Sequence, residues 1–103
     1  MNNNYKILEH FASEDGEITN IVIECEKSKV FFTKWNDLQL MLFFKDVESI
    51  TSKHAVGGDI GDFQIIKIDD ELNKYAFYDS WTNEVVLEII AKSYIIYDIN
   101  SSK

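Results

Sequence analysis

Three kinds of residue in this chain of 103 could do chemistry: one cysteine, two histidines and a surplus of carboxylates. The stretch HAVGGDIGDF, residues 54–63, gathers several of them, with three of the four glycines, His54, Asp59 and Asp62. Its spacing is not G-x-G-x-x-G and it does not run from a strand into a helix, so a dinucleotide fingerprint is excluded. Two carboxylates at that place would also repel a phosphate. Calcium suits Asp59 and Asp62 better, with loop carbonyls as further hard ligands. An EF-hand, however, needs a longer acidic series, and the glycine-aspartate repeat of β-rolls fails at Ile60. The simpler expectation is that Gly57, Gly58 and Gly61 let a long acidic connection cross one end of the fold.

Soft-metal and nucleophilic chemistry fare no better. Cys25, His10 and His54 are scattered, without C-x-x-C or H-x-x-x-H spacing, so no metal site is expected. His10 shares a face with Leu8 and Ala12, which suits a satisfied, partly buried imidazole. No serine stands in a G-x-S-x-G elbow. Carboxylate pairs recur at Asp59 and Asp62, at Asp69, Asp70 and Glu71, and at Asp79 and Glu84. Their abundance makes no single pair diagnostic of glycosidic chemistry, which needs two carboxylates at a set separation across a cleft. No catalytic residue is assigned, and a non-enzymatic protein without cofactors is expected.

Charge narrows the partners. Eighteen Asp and Glu face ten basic residues, all lysine, for a formal net charge of −8. Without arginine there is no planar fork to grip phosphate or guanine, and a strongly anionic chain repels both nucleic acid and an anionic membrane. A basic protein or a cation would be attracted. A single cysteine permits no internal disulfide, and its spacing from Ile21 and Ile23 places Cys25 on their face of a strand, as a buried thiol. The N-terminus shows no signal-peptide pattern, and no run of apolar residues is long enough to span a bilayer, so a cytoplasmic protein is expected. Lysine without arginine, with abundant Ile, Asn and Tyr, points to an AT-rich bacterial genome.

The elements that must position these residues read as strands. Short apolar or β-branched runs alternate with polar turns and there is no proline, which gives an all-β antiparallel meander of eight or nine short strands in one domain, 1–103. The expected strands are 5–12, 17–26, 29–35, 38–44, 47–53, 62–68, 74–81, 84–91 and 94–99, arranged as a β-sandwich or a small barrel. Asp15-Gly16 reads as a hairpin turn between the first two. A short N-terminal helix capped by Asn4, stacking Ile7 on Phe11, is the alternative for the first. The unbroken apolar run LQLMLFF at 38–44 implies a central strand.

One internal similarity links FFTKWNDLQLMLFFKDVESI, from Phe31, with FYDSWTNEVVLEIIAKSYII, from Phe77. The separation is 46, becoming 47 after a one-residue insertion in the second turn. Trp35 aligns with Trp81 and Asp37 with Glu84, and both tryptophans fall at strand ends, where partial exposure is expected. Exposed aromatic rings suit a protein hot spot or a sugar platform.

The segments HFASEDGEITNIVIE, FFTKWND, LFFKDVESI, GGDIGDF and SWTNEVVLEIIAKSYIIYDI together resemble a group of small acidic all-β bacterial proteins, some of them similar to immunity proteins of polymorphic toxin systems. The resemblance implies a non-enzymatic, partner-binding role and carries no site residues with it. The expected function is therefore neutralisation of a basic partner, such as a toxin domain, by an acidic surface bearing Asp37, Asp59, Asp62, Asp79 and Glu84 with Trp35 and Trp81. The alternative is a small-molecule or carbohydrate-binding β-module, with calcium assisting. Homo-oligomerisation through an uncovered strand edge is compatible with either.

Overall fold

The computed structural model of the protein describes residues 6–8, 16–34 and 38–99. These form seven strands: β1 (Lys6–Leu8), β2 (Gly16–Glu24), β3 (Lys27–Lys34), β4 (Gln39–Ser52), β5 (Asp59–Lys67), β6 (Asn73–Asp79) and β7 (Val85–Asp98). All seven belong to one antiparallel sheet in the order β1-β7-β4-β3-β2-β5-β6, and β6 also pairs with β7. Six strands therefore close into a ring. β1 lies along the edge of β7 that β6 leaves uncovered.

The all-β expectation holds, but with fewer strands than eight or nine, because two pairs of expected strands are continuous. Segments 38–44 and 47–53 are both β4, and 84–91 and 94–99 are both β7. Lys45-Asp46 and Lys92-Ser93, expected as turns, lie inside the longest ladder of the sheet, which runs from Leu40↔Asp98 to Ser52↔Leu87. Asp46 adopts a φ of 54° and the register slips by one residue between Val47 and Ser49, so the chain changes which side faces inward without reversing. Before the slip, Leu42 and Phe44 lie inward opposite Ile96 and Tyr94. Val47, still in that register, packs on the core opposite Ala91, and Ile50, beyond the slip, packs opposite Ile89.

The N-terminal expectations also change. β1 pairs with β7 rather than β2, so no hairpin joins the first two strands. Residues Lys6–Leu8 are strand; the rest of the alternative helix, with Asn4, His10 and Phe11, lies outside the described residues. Gly16 is needed for close approach instead of a turn: a Cβ there would run into the Phe32 ring and come within 3.0 Å of the Thr33 carbonyl oxygen. The next hairpin turns at Cys25-Glu26, ahead of the break expected between 26 and 29, with Glu26 at a φ of 59°. Cys25 is consequently exposed at the hairpin tip, and Ile23 beside it is 66% exposed.

The interior of the ring is filled by side chains. Phe44, Phe63, Tyr75, Phe77 and Tyr94, from four strands, stand with ring centroids 4.7 to 6.3 Å apart, mostly in tilted pairs. Burial, and then the neighbouring Tyr75, pushes the Tyr94 hydroxyl above its ordinary pKa.

The ring is thinnest between β2 and β5, which pair only at Gly16↔Ile60 and Glu17↔Asp59. Just past that joint each strand slips register by one, β2 between Ile18 and Asn20 and β5 between Ile60 and Asp62. Each then binds its next amide with its own side chain. Ile21 N–H donates to Asn20 Oδ1, and Phe63 N–H to Asp62 Oδ1, both at 2.9 Å. A bulge followed by a side-chain cap bends a strand away from its neighbour and blunts its edge. No helix among the described residues is long and apolar enough to cross a membrane.

The contact at Gly16 can be tested by substitution. Gly16→Ala should destabilise the chain by about 1–3 kcal/mol, because Phe32 is fully packed and must move. Gly58→Ala, whose added carbon would meet nothing nearer than 3.7 Å, should stay within about 0.5 kcal/mol of wild type. Urea unfolding of both variants reads the difference.

Candidate functional site

Of the seven residues singled out from the sequence, five come together. Asp59 and Asp62 stand at the start of β5, Asp79 ends β6, and Trp81 and Glu84 occupy the turn that leads into β7. Trp35 and Asp37 lie outside the described residues. The connection through the glycines is shorter than expected, since only 53–58 lie outside strands and Asp59 to Gly61, expected in the connection, already belong to β5.

The β6–β7 turn is built on one carboxylate. Asp79 Oδ2 accepts the backbone N–H groups of Trp81 and Thr82, each at 2.8 Å, and the Thr82 hydroxyl at 3.2 Å. An aspartate that binds the amides two and three residues on fixes a turn from its own side chain. Asn83 completes the reversal at a φ of 60°, with its N–H on the Asp79 carbonyl at 3.0 Å. Hydrogen bonds to the ionised form hold the Asp79 carboxyl below its ordinary pKa of 3.8, with Thr82 N–H the larger contribution and Trp81 N–H next. Asp79 was expected on the exposed acidic surface. It is half-buried, and its oxygen is engaged in holding the turn.

Trp81 is what the turn presents. It is 84% exposed, the most exposed large apolar side chain among the described residues. Its indole N–H points at Asp59 Oδ2 at 3.4 Å, while Ser80 N–H donates to the Asp59 carbonyl at 2.9 Å, so β5 fixes both the base of the turn and the edge of the ring. Asp62 is exposed, and its carboxylate accepts from Phe63 N–H and Gln64 Nε2, both at 2.9 Å. Glu84 is exposed where the turn closes, its carbonyl accepting the Asp79 N–H at 2.8 Å. The result is a flat apolar ring whose edge meets the Asp59 carboxylate, on a turn built by Asp79, with exposed Asp62 on β5 and exposed Glu84 in the same turn. Such an arrangement can stack on a cationic or planar group and neutralise positive charge around it.

A second acidic region escaped the sequence reading because its members are far apart in the chain. Glu48, Asp69, Asp70, Glu71, Leu72 and Lys92 line an open hollow of about 410 Å³, and Glu26 and Asp46 adjoin it. Lys92 Nζ lies 3.2 Å from Glu71 Oε1, and that contact, with Asp46 and Glu48 beyond it, raises the lysine pKa. The one available signal was the register of the two Lys-bearing breaks, which brings Lys45 opposite Ser93 and so carries Lys92 to the middle of the ladder. Among the described residues no group of three or more His, Cys, Asp or Glu is placed to hold a metal ion.

The Asp79 turn gives a pH prediction. A depressed carboxylate pKa contributes stability that is complete above the unfolded value and is lost as pH falls through the folded one. Followed by carboxyl chemical shift, Asp79 should titrate below 3.8, and the Trp81 backbone amide should shift with the same midpoint. In Asp79→Asn that acid transition of Trp81 should vanish. Compared with known proteins, the chain matches no family model, no curated sequence and no solved structure.

Proposed function

We propose that this chain is a non-enzymatic bacterial cytoplasmic binding protein that neutralises a basic protein, of the kind a secreted toxin domain would be, by docking it on the Trp81 corner. The observation that carries this reading is Trp81 itself, 84% exposed yet anchored through Asp59, on a turn built by Asp79 that also carries exposed Glu84, with exposed Asp62 on β5. Leaving an indole in water forgoes the burial that a tryptophan otherwise gains, and a partner recovers it. A lysine or arginine side chain laid across the ring gains from the ring quadrupole and from the carboxylates together. The net charge of −8 speeds encounter with such a partner and repels anionic competitors. The similarity of several segments to small acidic bacterial proteins, some like immunity proteins, points the same way.

The test is direct binding to the purified product of the gene beside this one, since an immunity protein is made with its toxin. Association should slow as ionic strength rises. Trp81→Ala should weaken Kd by roughly thirtyfold, corresponding to about 2 kcal/mol for a hot-spot residue, with the fold unchanged by circular dichroism. Binding indifferent to both salt and Trp81, or no binding of any basic protein, would defeat the proposal. A melting midpoint raised by a glycan or by calcium would instead favour the ligand-binding module.

A further inference from the structure

The edge of β5 beyond Asp62 has a definite hydrogen-bond phase. Ile68 N–H donates to the Leu72 carbonyl at 2.9 Å, and these residues continue the β5–β6 register, in which Lys67 lies opposite Asn73 and Ile65 opposite Tyr75. Hydrogen-bonded and non-bonded pairs alternate along an antiparallel ladder, so Ile66 and Gln64 bond β6 while Ile65 and Lys67 turn their backbone groups the other way. The Phe63 amide, one step earlier in the same phase, bonds Asp62 Oδ1, as that phase requires. On the outward side β5 pairs with β2 only at Asp59 and Ile60, so among the described residues no strand meets Ile65 or Lys67.

This stretch also exposes apolar surface: Ile65 is 49% exposed, Ile66 40% and Ile68 47%. Carboxylates stand at both its ends, Asp62 at one and Asp69 and Asp70 at the other, with Lys67 between them in a loose 3.9 Å contact to Asp70. Self-pairing about Ile65 would set Asp62 of one copy beside Ile68 and Asp69 of the other, between two chains of charge −8. Charge thus disfavours a second copy and favours a cationic strand.

We propose that the Ile65–Lys67 edge of β5 accepts an extended segment of a protein partner as an added strand, apolar in its middle and basic at its ends. Two outward N–H groups and two carbonyls supply the pairing, the isoleucines supply apolar contact, and the flanking carboxylates select the charge. The inference rests on reading the chain as a binder of basic protein. It uses a surface that begins at Asp62 and leads away from Trp81.

Residue-resolved hydrogen exchange on the whole chain tests it. Without ligand, the Ile65 and Lys67 amides should exchange fast and those of Gln64 and Ile66 slowly. Millimolar Lys-Lys-Val-Thr-Val-Thr-Val-Lys-Lys should slow Ile65 and Lys67 by about tenfold. The same peptide with alternate amides N-methylated, or with glutamates for its lysines, should not. Ile65→Pro, which removes an outward donor and no β6 bond, should abolish the protection, and the N-methylated peptide makes the same test on the unaltered fold. Slow exchange at Ile65 and Lys67 without ligand at every dilution, protection that follows protein concentration alone, equal protection by basic and acidic peptides, or none by either would each overturn the proposal. Trp81→Ala should leave peptide protection intact. Loss of the peptide effect with Trp81-dependent partner binding retained would remove this edge alone, and the converse would remove only the function proposed for the Trp81 corner.

Discussion

The β4–β7 ladder is the constraint on which the other strands depend. Two strands of fourteen residues pair from Leu40↔Asp98 to Ser52↔Leu87, and each carries a hairpin partner on its outer side, β3 on the first part of β4 and β6 on the first part of β7. Leu40 and Leu87 hold corresponding places at opposite ends of the ladder, each buried and each opposite a buried phenylalanine, Phe32 and Phe77. The two hairpins are thus related by an approximate twofold through the middle of the ladder, near Asp46 and Lys92. Fourteen residues are too many for a strand to keep one face inward around so small a core. The bulge after Val47 and the positive φ of Asp46 relieve that conflict by turning the strand as it passes.

This arrangement explains which parts of the sequence were legible. The resemblance between the stretches from Phe31 and Phe77 reflects a repeated hairpin, since both carry buried residues at alternate positions on long second strands. The register was misplaced by one on the first strand. Burial matches Phe32 with Phe77, a separation of 45, and Leu40 with Leu87, a separation of 47; one of the two extra residues lies in the second turn, as expected, and the other is Val86, where β7 slips by one against β6. The extra turn residue belongs to the reversal that Asp79 builds around Trp81. Lys45-Asp46 and Lys92-Ser93 misled because a polar dipeptide between apolar runs looks alike whether the chain reverses or only changes face, and what distinguishes the two is a pairing partner far away in sequence. Asp15-Gly16 misled for a related reason: the glycine is demanded by a ring on the neighbouring strand, a tertiary contact that no local pattern records.

Side-chain roles followed the same division. Exposure of Trp81 was legible because it sits beside a turn, as was the gathering of Asp59 and Asp62, which are three residues apart. That Asp79 and Glu84 join them depends on β5 pairing with β6 and β6 with β7, which was not legible. Burial of Cys25 was inferred from alternation with Ile21 and Ile23. β2 ends at Glu24, so Cys25 stands in the turn beyond that alternation, and Ile23, on the same face, is itself exposed. The hollow around Lys92 and the open edge of β5 both require knowledge of which strands are neighbours.

The thin β2–β5 joint ties the two surfaces to one cause. A ring assembled from two hairpins on a central ladder must be closed by the remaining strands, and β2 and β5 touch for only two residue pairs before their bulges carry them apart. Asn20 and Asp62 cover the first amide that each strand would otherwise leave open. A neutral chain with such an edge would be prone to pair with its own copies. Here the acidic residues at both ends of the β5 edge, and the net charge of −8, oppose that pairing while leaving the backbone groups of Ile65 and Lys67 without a strand partner among the described residues. Negative charge is therefore a condition for leaving the edge open, and the same charge determines what can approach it.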